Sequence, residues 1–136
     1  MRMMPSLQRP APGFARIRPA KPVRLGLFGG TFDPPHIGHI LVASDAFERL
    51  SLDRLVFVPN AVQPLKAGRP TAGAADRLEM VRLVCQGDAR FDVDAIEVDR
   101  GGLSFTVDTL RAYRERHPDA ALFLLVGEDA ARTLPS

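Results

Sequence analysis

The chain has 136 residues, 46% hydrophobic and 25% charged, the size and balance of one ordinary globular domain rather than a disordered or fibrous polypeptide. No stretch approaches the roughly 18 apolar residues of a membrane span, and a single cysteine, Cys85, excludes an intrachain disulfide framework and fits a reducing compartment. The net charge of +2 hides an asymmetry: residues 1–22 carry Arg2, Arg9, Arg16, Arg18 and Lys21 and no acid, whereas the remaining 13 cations meet 16 acids, −3 for the body.

Residues 1–22 are rich in Pro and Arg and have no apolar periodicity, so they read as a disordered basic tail. The tail lacks the apolar core of a secretory signal, and its scarcity of Ser counts against an organellar targeting peptide. Five scattered cations are a weak signal for a nucleic-acid or membrane arm. Neither partner is expected, and a cytoplasmic location is.

From residue 23 the pattern alternates. Val23–Phe28 is an apolar strand. Ile40–Leu50 is a helix with Val42, Ala43, Ala46, Phe47 and Leu50 on one face. Arg54–Val58 is a second strand. Ala74–Gln86 is a helix that groups Leu78, Val81, Val84 and Cys85, leaves Arg77, Glu79 and Arg82 elsewhere, and ends at Gly87. Cys85 in that stripe reads as a small buried hydrophobe, not a nucleophile. Phe91–Val98 is a third strand, Thr106–Arg116 a helix grouping Val107, Leu110 and Tyr113, and Ala121–Val126 a fourth strand. Near-continuous apolar strands alternating with helices predict an α/β fold, a doubly wound parallel sheet covered on both faces. Ligand sites of such sheets lie beyond the carboxyl ends of the strands, here residues 29–39, 59–73, 99–106 and 127–136.

The first of these loops, Gly29-Gly30-Thr31-Phe32-Asp33-Pro34-Pro35-His36-Ile37-Gly38-His39, is the most informative run in the chain. Two glycines permit close backbone approach, Pro34-Pro35 stiffens the turn, and Asp33 is expected to fix it through local hydrogen bonds. His36 and His39 stand three apart at a helix start, where backbone N–H groups and the helix dipole favour phosphate. The expectation is a cationic pocket for anionic nucleotides. A zinc site fails for want of a third ligand, since Cys85 lies in a core helix and His117, beside Pro118, reads as a cap. The run is neither the G-x-G-x-x-G dinucleotide fingerprint nor a P-loop.

The same run resembles the signature of the nucleotidyltransferases with an H-x-G-H motif, and within them it is most similar to the bacterial nicotinate-nucleotide adenylyltransferases. Further segments carry the resemblance: Val56-Phe57-Val58-Pro59-Asn60 with Pro64-Leu65-Lys66, Arg77-Leu78-Glu79-Met80, Ser104-Phe105-Thr106-Val107-Asp108-Thr109-Leu110, and Leu125-Val126-Gly127-Glu128-Asp129. It spans residues 23–136 and implies a Rossmann-like nucleotidyltransferase domain. The implied reaction is adenylyl transfer from ATP to nicotinate mononucleotide, giving nicotinate adenine dinucleotide and pyrophosphate, a step of NAD biosynthesis. It also implies roles. His36, His39 and Lys66 act on the phosphates. Gly29, Gly30, Thr31 and Phe32, with Gly127 and Asp129, hold ATP. Ser104, Phe105 and Thr106 border the pyridine ring. Mg²⁺ is expected to arrive on ATP, not in a protein cage.

The sequence departs from the family at Leu65, where relatives often carry His, and at Phe105, where they often carry Tyr. The family also continues through a Trp, a further strand and a C-terminal hydroxyl- and Arg-bearing motif, so residues 23–136 are expected to be a C-terminally incomplete domain. Two alternatives stand beside the enzyme: a catalytically inactive nucleotide-binding fragment, and an adenylyltransferase for another phosphate acceptor. A homo-oligomer is left open.

Overall fold

In the computed structural model the described residues are 22–61, 72–101 and 106–126; residues 1–21 of the expected N-terminal tail lie outside them. The elements in chain order are β1 (Arg24–Gly30), α1 (Ile37–Arg49), β2 (Arg54–Pro59), α2 (Ala74–Cys85), β3 (Phe91–Val93), α3 (Ile96–Arg100), α4 (Thr106–Arg116) and β4 (Ala121–Val126). The four strands form one sheet in the order β3-β2-β1-β4, and every pairing is parallel. β1 is therefore bonded on both sides, with Leu27 opposite Val56 of β2 and Leu124 of β4.

Alternation along the strands divides the core into two layers. Phe28, Leu55 and Phe57 face α1 and α2 and pack with Ala43, Val81 and Cys85. Leu25, Leu27, Val56 and Val58 face the other way and pack with Ile96 of α3 and with Leu110 and Tyr113 of α4. The sheet is thus covered on both faces, as a parallel sheet requires. Among the described residues no helix is long and apolar enough to cross a membrane.

Several local expectations need correction. The third strand stops at Val93, because the Asp94 carboxylate accepts the Ile96 N–H at 2.9 Å and turns the chain into α3. The run Phe91–Val98 alternates like a strand, yet Glu97 is buried and accepts the Thr109 hydroxyl of α4 at 2.5 Å. The stripe of α1 is Ile40, Ala43, Phe47 and Leu50, spaced by three and four residues, whereas Val42 is 53% exposed. Val84 and Val107 likewise lie outside the core. Gly29 and Gly30 are the last residues of β1 rather than part of a turn.

Gly26 fixes how closely the α1–β2 connection can approach the sheet. A Cβ built on it would stand 2.6 Å from Cδ1 of Leu52, a buried side chain of that connection. Gly26→Ala is therefore expected to lower unfolding free energy by about 1–3 kcal/mol through overpacking, read as a lower urea midpoint with an unchanged slope; Gly29→Ala, whose Cβ meets nothing within 4 Å, should leave the midpoint near wild type.

Candidate functional site

The strand order reverses at β1: β2 and β3 lie on one side of it and β4 on the other. The loop leaving β1 therefore opens at the topological switch point, where ligands of such sheets bind. Asn60 N–H donates to Gly30 O at 3.0 Å, tying the ends of β1 and β2 together at that edge. The chain then turns at Phe32, whose φ of +53° is the left-handed exception that a non-glycine residue rarely adopts. The Phe32 ring is 3% exposed. It packs edge-on against Phe28 at 5.3 Å and His39 at 4.9 Å between ring centres. Any contact Phe32 makes with a ligand thus runs through its backbone.

His36 is the N-cap of α1, so the helix begins at Ile37, three residues earlier than the apolar pattern suggests. Gly38 N–H donates to His36 Nδ1 at 3.0 Å, and His36 N–H donates to His39 Nδ1 at 3.0 Å. This is a reciprocal capping box built from imidazoles instead of the usual hydroxyl and carboxyl groups. The two rings lie 4.0 Å apart and 31° from parallel. Burial, and then the neighbouring His36, hold the His39 pKa below its ordinary value. The first turn of α1 carries no acid, whereas α2, α3 and α4 carry Asp76, Glu97 with Asp99, and Asp108. The positive end of α1 is therefore left uncompensated for an anion.

Arg77 was expected away from the apolar face, but it is 3% exposed. Its guanidinium donates to Thr31 O at 2.7 Å, Ala61 O at 2.7 Å, Ala72 O at 3.1 Å and Asn60 Oδ1 at 3.3 Å. One side chain thus joins the signature loop to both flanks of residues 62–71. Asn60 Nδ2 also donates to Thr31 Oγ1 at 3.4 Å. Asp33, expected to bond locally, accepts the Ala72 N–H at 3.2 Å, and its field supports the Arg77 charge against burial. A buried Arg has a sequence signal only in hindsight: Arg77 directly precedes Leu78 and adjoins the stripe Leu78, Val81, Cys85.

His36, His39, Gly29, Gly30, Thr31 and Phe32 are thus brought to one corner of the sheet. Thr106 opens α4. Lys66, Ser104, Phe105, Gly127 and Asp129 lie outside the described residues. Cys85 is buried, as expected, and burial pushes its thiol up to about 12. It lines an open groove of about 460 Å³ between α2 and β3, two strands away from β1.

Residues 27–136 match the model of a family described as cytidylyltransferase-like. The chain belongs to that family. It is 58% identical over 113 residues to a probable nicotinate-nucleotide adenylyltransferase of Gemmatimonas aurantiaca, covering 83% of this chain and 53% of that protein. It is 45% identical over 113 residues to the protein of that name from Thermomicrobium roseum, with coverages of 83% and 53%. The chain spans about half the length of these curated relatives. Its fold is similar to that of Plasmodium falciparum nicotinic acid mononucleotide adenylyltransferase complexed with NaAD, at a TM-score of 0.63 and 16% identity, covering 75% of this chain and 50% of that one.

Two outcomes follow from the site. Arg77→Met should lower stability by about 3 kcal/mol, because it leaves buried carbonyl acceptors unpaired; chemical denaturation measures it. His39 and His117 both have folded pKa values lowered from 6.5, the first by burial and His36, the second by burial and Arg116. The unfolded chain therefore binds more protons as pH falls. Stability should be complete above about pH 6.5 and decline as the pH drops through the lowered values, and thermal melts of His39→Gln and His117→Gln should show a flatter decline.

Proposed function

We propose that this chain carries the phosphate-handling core of an adenylyltransferase that joins ATP to nicotinate mononucleotide, forming nicotinate adenine dinucleotide and releasing pyrophosphate. The observation that carries the proposal is the β1–α1 junction: two imidazoles and an acid-free helix start at the point where the strand order reverses. The names of the relatives supply the acceptor.

The chemistry suits the residues. The nucleophile is a phosphate oxygen of nicotinate mononucleotide, whose second pKa near ~6 makes it mostly a dianion at neutral pH. It needs no general base. A phosphate oxygen of the mononucleotide attacks the α-phosphorus of ATP, and the bond from that phosphorus to the bridging oxygen breaks, so the electron pair leaves with pyrophosphate. The demand on the protein is to align two anions and stabilise charge spreading over the α-phosphoryl group. His36 and His39 take the α- and β-phosphate oxygens at the α1 start, and Lys66 neutralises further phosphate charge. Gly29 leaves the end of β1 open to a ligand, since a Cβ there would meet nothing within 4 Å. Gly30, Thr31 and Phe32 line the same edge through their backbone. Gly127 and Asp129 hold the adenosine, and Ser104, Phe105 and Thr106 border the pyridine. Mg²⁺ comes as part of the ATP substrate, held by phosphate oxygens and water.

Pyrophosphate release with ATP and each of nicotinate mononucleotide, nicotinamide mononucleotide and phosphopantetheine tests the reading. Turnover is expected to be greatest with nicotinate mononucleotide and to fall by about 10²–10³-fold in His39→Ala. Preference for another acceptor would select the alternative transferase. ATP binding with no turnover would select the inactive nucleotide-binding fragment.

A further inference from the structure

The peptide between Thr31 and Phe32 is pinned at both ends. Phe32 sits in the left-handed region at φ +53°, a conformation that persists in a non-glycine residue where the surroundings enforce it. On one side the Phe32 ring is locked into the core, edge-on to Phe28 and packed on Phe57. It lies so close under Gly30 that a Cβ there would stand 3.3 Å from its Cζ. On the other side the Thr31 carbonyl accepts from Arg77 Nη1 at 2.7 Å. The peptide is trans, so its C=O and N–H point to opposite sides of the chain. With the Thr31 oxygen drawn onto the buried guanidinium, the Phe32 N–H points away from it. That N–H has no acceptor among the described residues.

The fork of Arg77 suits this task in a way a lysine would not. Nε donates to Ala72 O, Nη1 to Thr31 O and Nη2 to Ala61 O, so one rigid plane sets the signature loop against the exit of β2 and the approach to α2. Asn60 completes the clamp. Its Oδ1 accepts from Nη1 at 3.3 Å, and its Nδ2 donates to Thr31 Oγ1 at 3.4 Å. Both oxygens of Thr31 are thereby held. The guanidinium also acts electrically. Its charge stands at the negative end of the peptide dipole, so it polarises the peptide and strengthens the N–H at the far end as a donor.

We propose that Arg77 is a positioning residue of this corner: by holding the Thr31 carbonyl it sets the Thr31–Phe32 peptide so that the Phe32 N–H stands as a preformed, polarised donor to an anionic oxygen of the bound nucleotide. The proposal rests on the function given above in taking that oxygen to belong to ATP. A buried cation then acts on the substrate through one peptide group without touching it. The loop keeps its donor in place before the ligand arrives, and α2 contributes to binding from behind the sheet's edge.

Thr31-Phe32 is the one Thr-Phe pair in the chain, and no threonine precedes an arginine. Carbonyl-¹³C threonine with ¹⁵N phenylalanine and ¹⁵N arginine therefore gives a single amide–carbonyl correlation in the full chain, that of this peptide. In the wild type a coupling across the hydrogen bond is expected between Arg77 Nη1 and the Thr31 carbonyl carbon. The Phe32 amide proton should move downfield on saturation with Mg-ATP. Arg77→Lys keeps a buried cation and loses the fork. It should shift the Thr31 carbonyl resonance upfield, shrink the amide response and weaken Mg-ATP binding about tenfold. Gly26→Ala, destabilised by overpacking against Leu52, is the control for lost stability alone: it should melt earlier and keep both the amide response and the affinity. A missing coupling in the wild type overturns the proposal whether or not Arg77→Lys folds. So does an Arg77→Lys chain that binds Mg-ATP as the wild type does, and so does Mg-ATP binding that leaves the Phe32 amide unmoved. No Mg-ATP binding by the wild type contradicts the function given above instead. Saturation with pyrophosphate then puts the same question to the Phe32 amide, and an unmoved resonance there overturns the proposal as well.

Discussion

A strand hydrogen-bonded in parallel on both sides has no hairpin available to it, and both neighbours must be reached by crossovers. β1 is such a strand. Its chain leaves at the carboxyl edge and returns as β2 on one side, whereas β4 arrives on the other side only after two further strands have been laid down. The first crossover therefore starts a helix at the one corner where the sheet's connectivity changes direction. Everything assigned to ligand binding depends on that placement. The apolar alternation of β1 and β2 supplies the packing that fixes it, with Leu27, Phe57 and Val58 among the most deeply buried side chains.

The corner is held by polar groups as much as by apolar ones. Arg77 gathers Thr31, Ala61 and Ala72 around one guanidinium, while Asp33 reaches the Ala72 N–H. Phe32 plugs the turn into the core and supports His39 from below. A loop that had to carry the two imidazoles on glycines alone would be loose. Here the imidazoles satisfy orphan N–H groups of the helix start and are themselves oriented by doing so, so helix capping and ring orientation come from the same two hydrogen bonds.

Much of this was legible in the chain. Strands with continuous apolar character and the helix Thr106–Arg116 coincide with the structure at β4 and α4, because long periodic segments packed on one face carry their own signal. The signature loop announced its corner through glycines, prolines and paired histidines. What was not legible has particular causes. The run Phe91–Val98 begins with strand-like alternation, and only the Asp94 carboxylate and the Glu97–Thr109 bond reveal that a five-residue helix starts within it at Ile96. Val42, Val84 and Val107 are apolar yet exposed, since hydrophobic residues inside is a one-way rule. His36 as an N-cap and Arg77 as a buried brace depend on acceptors and donors far apart in sequence, which periodicity does not register. Lys66, Ser104, Phe105, Gly127 and Asp129 were legible only through family resemblance and lie outside the described residues.

The central claim is that the start of α1 receives the phosphates of ATP. Crystals of the chain soaked with Mg-ATP measure it most directly. The account predicts phosphate oxygens within hydrogen-bonding distance of Nε2 of His36 and His39, in front of the Ile37 end of the helix and above Gly29. A triphosphate lodged elsewhere, for instance in the groove between α2 and β3, would contradict it.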